Sequence, residues 1–320
     1  MSDHYLEFEK PIAEVEQKIR ELQAAAAAGN LDARDEIGRL EAKVVHLKQD
    51  IFSHMTRWQR VLLARHSQRP YSLDYIGRMA EEWFELHGDR LFRDDQAIVG
   101  GLAQIQGKRM MIVGQQKGRD TKEKLRRNFG QAHPEGYRKA YRLFQLAAKF
   151  HLPILSLVDT QGAFPGDKAE ERGIAEAIAR SQFIMARLPV PIVVVILGEG
   201  GSGGAIAIAV GDRVMMLEHA YYSVITPEGC ASILWRDAGR APEAAEAFKL
   251  SSADCLELGI VDKLIPEPLG GAHRNPDAMA ETLKREILSA FEDLAGIPPE
   301  SLIAQRSDKF ARMGRYAATP

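Results

Sequence analysis

The segment Ile192-Val193-Val194-Val195-Ile196-Leu197-Gly198-Glu199-Gly200-Gly201-Ser202-Gly203-Gly204-Ala205 decides the fold. Six consecutive apolar residues read as a strand buried on both faces, and the glycines after them read as a turn into a helix. Working back along the chain, Ile154–Val158 reads as a second buried strand. It too leads into a glycine loop, Asp159-Thr160-Gln161-Gly162-Ala163-Phe164-Pro165-Gly166. Helical patterns surround these strands: Pro134 opens one that runs to Phe150, and Glu170–Leu188 spans the interval between the strands. Alternation of this kind implies right-handed crossovers and a largely parallel sheet. Both glycine loops then emerge side by side at the carboxyl ends of neighbouring strands, where such sheets place their sites.

Further out, Ala97–Gln104 and Arg109–Gly114 flank Gln106-Gly107 as a strand pair, Arg213–Leu217 and Tyr222–Ile225 read as strands, and Asp277–Leu294 reads as a late helix. Ser72 is placed to cap a helix that carries Ile76, Met79, Trp83 and Phe84 and stops at Gly88. Before Pro70 the chain reads as two amphipathic helices, one with Ile12, Val15, Ile19 and Leu22 on its stripe, the other with Ile37, Leu40, Val44, Leu47 and Ile51. Gly29-Asn30 marks the turn between them and Asp32 the cap of the second. These readings divide the chain into an N-terminal helical arm over 1–69, an α/β domain over 70–295 and a C-terminal tail over 296–320.

Lys and Arg total 42 against 44 Asp and Glu in 320 residues, and a net charge of −2 sets up no global field toward nucleic acid or an anionic membrane. Cys230 and Cys255 are too few for a disulfide framework or a four-thiolate zinc site, which points to a reducing compartment, the cytoplasm, and to no metal in this chain. The start of the chain lacks the basic and apolar regions of a signal peptide. Glu199 and five glycines interrupt the most apolar stretch well short of the roughly 18 residues that span a bilayer.

Glycine in both loops lets backbone N–H groups approach a ligand without a Cβ in the way, and the following helix adds its positive end, so the pair suits an anion. For either loop alone, close helix–strand packing explains the glycines equally well. The second loop also fits two other patterns. Gly198, Gly200 and Gly203 match G-x-G-x-x-G with Glu218 near the place of a ribose-binding acid, but Gly211-Asp212 cuts the next helix to about two turns, too short for a dinucleotide crossover. Gly200, Ser202 and Gly204 match G-x-S-x-G, which leaves a serine hydrolase with a partner such as His219 as a competing enzyme class. The cationic run Lys117, Arg119, Lys122, Lys124, Arg126 and Arg127 leaves RNA binding or a scaffold role as a non-enzymatic one.

From Arg69-Pro70-Tyr71 to Pro276 the chain carries Gln116-Lys117-Gly118-Arg119, Arg127-Asn128-Phe129-Gly130, Pro134-Glu135-Gly136-Tyr137-Arg138-Lys139, the glycine loop Gly198–Ala205, Pro227-Glu228-Gly229-Cys230-Ala231 and Pro268-Leu269-Gly270-Gly271-Ala272-His273-Arg274-Asn275-Pro276. In these it resembles the alpha subunits of bacterial acetyl-CoA carboxylase carboxyltransferase, members of the crotonase-like superfamily. Gln161 stands where the family more often has proline. The resemblance implies a spiral of ββα units and transfer of a carboxyl group from carboxybiotin, borne by a biotin carboxyl carrier protein, to acetyl-CoA, giving malonyl-CoA for fatty acid biosynthesis. It implies an α2β2 assembly with a beta subunit that holds the zinc, alongside biotin carboxylase. Carried onto this sequence, it makes the backbone amides of Gly203 and Gly204 the oxyanion donors for biotin, with Gly162, Ala163, Gly200, Gly201 and Ser202 shaping the substrate-binding wall.

Overall fold

The computed structural model describes residues 5–28 and 33–314. The Gly29-Asn30 turn and the Asp32 cap lie outside the described residues. Helices α1 (Lys10–Ala27) and α2 (Arg34–Ser53) form the hairpin that the two apolar stripes predict, closing on Ile12, Ile19, Val44 and Phe52. Leu63 of the next helix, α3 (Arg57–Ala64), belongs to the same cluster, and Arg274 Nη2 donates to Glu9 Oε1 at 2.8 Å. The arm is thereby docked on the domain. Thr56 and Gln59 cap α3 reciprocally, satisfying N–H groups the helix itself cannot.

Among the described residues one sheet holds eight strands: β1 (Glu82–Glu85), β2 (Ile98–Ile105), β3 (Lys108–Gln115), β4 (Ile154–Thr160), β5 (Ile192–Gly201), β6 (Arg213–Leu217), β7 (Tyr221–Ser223) and β8 (Lys263–Ile265). The order is β1-β2-β3-β4-β5-β6-β8, with β7 beside the end of β5. The first three strands are antiparallel neighbours; from β3 onward every pairing is parallel. Gln106 (φ 46°) and Gly107 (φ 74°) turn β2 into β3, both left-handed as a two-residue hairpin requires. All residues of β4 and β5 are buried, which explains why Ile192–Leu197 reads as an unbroken apolar run and Ile154–Val158 as one interrupted only by Ser156.

Helices α4 (Ser72–Met79), α5 (Thr121–Arg126), α6 (Pro134–Lys149), α7 (Asp167–Glu171), α8 (Ile174–Ala186) and α9 (Ser202–Ile206) occupy the central connections. The chain continues through α10 (Pro227–Trp235), α11 (Ala241–Phe248), α12 (Ser252–Glu257), α13 (Pro276–Leu294) and α14 (Pro299–Ala311). Beyond residue 295, α14 is anchored by Arg306. Its guanidinium is buried on Asp212 (2.8 Å) and on the carbonyls of Met185, Leu188 and Val190.

Three sequence expectations need correction. The helix expected to continue through Trp83 and Phe84 ends at Met79, and Glu82–Glu85 is the edge strand β1, because its backbone pairs with β2 (Phe84 opposite Leu102, Glu85 opposite Gly101). Ser72 is the first helical residue rather than the cap, and its Oγ donates to the Gln115 carbonyl at 2.7 Å. The single helix over Glu170–Leu188 is broken at Gly173, whose left-handed backbone (φ 76°) separates α7 from α8.

Candidate active site

The parallel register of β4 and β5 sets Thr160 opposite Gly200, so the two glycine loops meet at the carboxyl edge of the sheet as their sequence order implies. β5 extends further than its apolar run, taking Gly198–Gly201 into the strand, where Glu199, Gly200 and Gly201 pair with Tyr221, Tyr222 and Ser223. The glycines here have different tasks. A Cβ on Gly200 would lie 2.7 Å from the Tyr222 ring, and one on Gly201 would lie 2.0 Å from the Gln161 carbonyl oxygen. One on Gly204 would lie 2.4 Å from the Gly162 carbonyl carbon and 2.6 Å from the Ala163 nitrogen. Close packing therefore accounts for Gly200, Gly201 and Gly204. Gly203 is different: its absent side chain would meet only Ile178, at 3.4 Å, and the residue is half-buried.

Ser202 joins β5 to α9 with a left-handed backbone (φ 52°), an uncommon conformation for a residue with a Cβ. This sharp turn starts a five-residue helix, whose opening N–H groups have no partner within the helix. Two of these belong to Gly203 and Gly204. The same turn would suit a nucleophilic serine, but no hydrogen bond joins Ser202 to a histidine among the described residues. His219 is buried against the arm instead, its ring 5.9 Å from that of Phe52 and its Nδ1 3.2 Å from Arg60 Nη1.

Beneath the loops lies a charged network that the sequence reading did not find. Lys117 Nζ donates to Asp159 Oδ1 (2.7 Å) and Glu199 Oε1 (2.8 Å), the first residue of one loop and the second of the other. Arg65 Nε and Tyr221 Oη donate to Glu199 Oε2 at 2.8 and 2.7 Å, and Arg65 Nη1 reaches Glu228 Oε1 at 2.5 Å. Burial pushes the Glu199 carboxyl up, but the charges of Lys117 and Arg65 outweigh it and hold the group at about 2. Burial alone would lower the Lys117 ammonium, yet Asp159 and Glu199 raise it, so Lys117 and Glu199 both stay ionised at neutral pH. A cavity of about 160 Å³ opens beside this network, lined by Arg65, Tyr71, Lys117, Phe129, Gln161 and Glu199 among others. A hollow of about 700 Å³ lies elsewhere, on the β1–β3 face, and none of the loop glycines line it.

The cationic run is largely spent on internal contacts. Besides Lys117, Arg119 pairs with Asp74 and donates to the Ser67 carbonyl (2.8 Å), while Arg127 binds Glu123 (2.9 Å) and the Gln96 carbonyl (2.8 Å). Cys230 and Cys255 are both buried thiols. No group of three or more His, Cys, Asp or Glu side chains able to hold a metal ion occurs among the described residues.

A parallel-rich sheet with paired glycine loops at its carboxyl edge defines the class, the crotonase-like fold of carboxyltransferases. The solved structures it is similar to include a chain of the Pseudomonas malonate decarboxylase heterodimer (TM-score 0.59, 18% identity, 75% of this chain and 95% of that one). Another is the transcarboxylase 12S hexamer crystallised with methylmalonyl-coenzyme A (TM-score 0.56, 19% identity, 77% of this chain and 42% of that one). The family model described as acetyl co-enzyme A carboxylase carboxyltransferase-like matches residues 5–314, and the chain belongs to that family. Two acetyl-coenzyme A carboxylase carboxyl transferase alpha subunits illustrate the similarity. The one from Bordetella pertussis is 53% identical over 99% of this chain and 98% of its own length; the one from Thermus thermophilus is 55% identical over 98% and 99%.

Proposed function

We propose that this chain is the half of a biotin-dependent carboxyltransferase that stabilises the charge left on biotin when its carboxyl group departs for acetyl-CoA. The observation that carries the reading is the opening of α9. Gly203 is half-buried with only a flexible Ile178 side chain near its missing Cβ, and its amide and that of Gly204 begin a helix, where N–H groups lack internal acceptors. A ligand oxygen fits such a place because no Cβ obstructs it. When bound, carboxybiotin on its carrier protein supplies the carboxyl group and an ureido oxygen that gains negative charge.

The chain's own contribution is electrostatic. Two preorganised N–H donors aimed at a developing oxyanion stabilise it by about 3 kcal/mol each in a site that excludes water. Gly162 and Ala163, in contact with Gly204, form the adjoining wall and keep the donors from turning away. Glu199 and Asp159 are neutralised by Lys117 and Arg65, so neither presents an unpaired negative charge to the anion. The donors for the thioester oxygen of acetyl-CoA, and the zinc, belong in this reading to a beta subunit, with an α2β2 assembly in the cytoplasm and biotin carboxylase upstream. No helix among the described residues is long and apolar enough to cross a membrane.

The test is reconstitution. Mixed with its beta partner, the chain should form malonyl-CoA from carboxybiotin and acetyl-CoA. Malonyl-CoA formed by the isolated chain would refute a site completed by two subunits.

A further inference from the structure

Two side chains at and just beyond the end of β3, one buried and one half-buried, touch both glycine loops at once, and neither belongs to the proposed donor set. Gln115 is fully buried; its Oε1 accepts the Asp159 N–H (2.9 Å) and its Nε2 donates to the Gly204 carbonyl (2.7 Å). Two residues on, Lys117 bridges Asp159 and Glu199, and Asp159 Oδ1 also accepts the Glu199 N–H at 2.9 Å. These bonds link the base of the first loop, the base of the second, and the first turn of α9.

The short helix needs such a link. With five residues, α9 has too few internal hydrogen bonds to hold its own orientation against the entropy of its glycines. The Gly203 carbonyl accepts the Ala207 N–H at 3.1 Å, which fixes the peptide plane that carries the Gly204 N–H. Gln115 fixes the next plane through the Gly204 carbonyl. Removing either side chain alone leaves buried groups short of a partner, the Asp159 and Glu199 carboxylates for Lys117 and the Asp159 N–H and Gly204 carbonyl for Gln115. A lower thermal midpoint is therefore expected of a Met variant at either position, and the split between kcat and KM carries the test. What the polar groups add is a defined distance and direction between the loops.

We infer that Gln115 and Lys117 are positioning residues for carboxyl transfer, acting through the two loops to aim the Gly203 and Gly204 amides at the oxyanion. The inference rests on the reading of those amides as the donors. Misplacing donors should depress turnover while leaving the binding of acetyl-CoA, whose thioester donors the proposed function places in the beta subunit, unaffected.

The experiment uses the full chain assembled with its beta partner, comparing Gln115→Met, Lys117→Met and Lys117→Arg for kcat, KM for acetyl-CoA and thermal midpoint. The two Met variants are expected to lose about 100-fold in kcat, the loss typical of a displacement near 1 Å, with KM within about twofold of the wild type. Lys117→Arg keeps a cation for both carboxylates and should recover a substantial part of the kcat. Should the Met variants not assemble, Gln115→Glu carries the test, because it preserves size and the acceptor for Asp159 while placing a repelling oxygen against the Gly204 carbonyl. Assembled variants with kcat near that of the wild type would overturn the inference. So would a loss in which kcat, KM and thermal midpoint move together and Arg rescues no better than Met. An inactive wild-type complex would instead remove the reading of the site and this inference with it.

Discussion

Replacing Gly204 by alanine separates the two loops with a single methyl group. The new Cβ would sit 2.4 Å from the Gly162 carbonyl carbon and 2.6 Å from the Ala163 nitrogen, whereas ordinary contact begins at 3.4 Å. Both obstacles are backbone, so no rotamer change relieves them, and the loops must part by about 1 Å. Overpacking of this kind costs about 1–3 kcal/mol of stability, partly offset by the better helix propensity of alanine, about 1 kcal/mol. The larger effect falls on chemistry, because a displacement of about 1 Å in a preorganised site lowers rate about 100-fold. The assay is malonyl-CoA formation by the complex with the beta partner, with thermal unfolding followed in parallel. Gly203→Ala is the informative comparison: its methyl would meet only the flexible Ile178 side chain at 3.4 Å, so folding should be unaffected and any loss of rate would come from blocked ligand approach. A Gly204→Ala complex that turns over like the wild type would refute the claim that the loop-to-loop contact sets the site.

Ser202→Ala should retain most of the transfer activity, since only the backbone at this position is used; complete loss would restore a nucleophilic serine. Arg69→Met should lower stability by about 3–5 kcal/mol in denaturant unfolding, because it strands the buried Glu267 carboxylate and removes two donors to the Leu197 carbonyl; an unchanged midpoint would contradict the burial of that pair. Acidification should destabilise the fold through two groups of effects with the same sign. Burial raises the Glu199 and Glu267 carboxyls, but nearby Lys117 and Arg65 for the first and Arg69 for the second outweigh it and hold both at about 2, so their stabilisation is complete above the ordinary value of 4.5 and is lost as pH falls toward 2. Burial, His66 and Arg274 hold His273 at about 3, so between 6.5 and 3 the unfolded chain binds the extra proton and stability again drops as pH falls. Thermal midpoints measured from neutral pH downward should therefore decline, and a rise on mild acidification would contradict these assignments.

The central strands were legible because burial on two faces leaves an almost continuous apolar run, and the glycine loops because one follows each of two successive runs of this kind. The β1 strand was not. Phe84 is 66% exposed, so its apolar character mimicked the buried face of a helix when it reported only an edge strand's outer side. Nor was the network under the site: Lys117 lies 42 residues from Asp159 and 82 from Glu199, and only the parallel register of β3, β4 and β5 brings them together. In sequence Lys117 looked like one more member of a cationic run. Arg306 was hidden for a similar reason, since an arginine among charged neighbours gives no sign that it will be buried on Asp212 and three carbonyls. Of the candidate glycines, sequence could not separate Gly200, Gly201 and Gly204, which make room for a neighbour's backbone or ring, from Gly203, whose missing side chain would meet only Ile178; that distinction needed the positions of Gln161, Gly162, Tyr222 and Ile178.

The most direct measurement is a structure of the assembled carboxyltransferase with biotin bound. The ureido oxygen is predicted to lie about 2.7–3.1 Å from the backbone nitrogens of Gly203 and Gly204. Biotin seated elsewhere, with those nitrogens turned into the protein interior, would contradict the account.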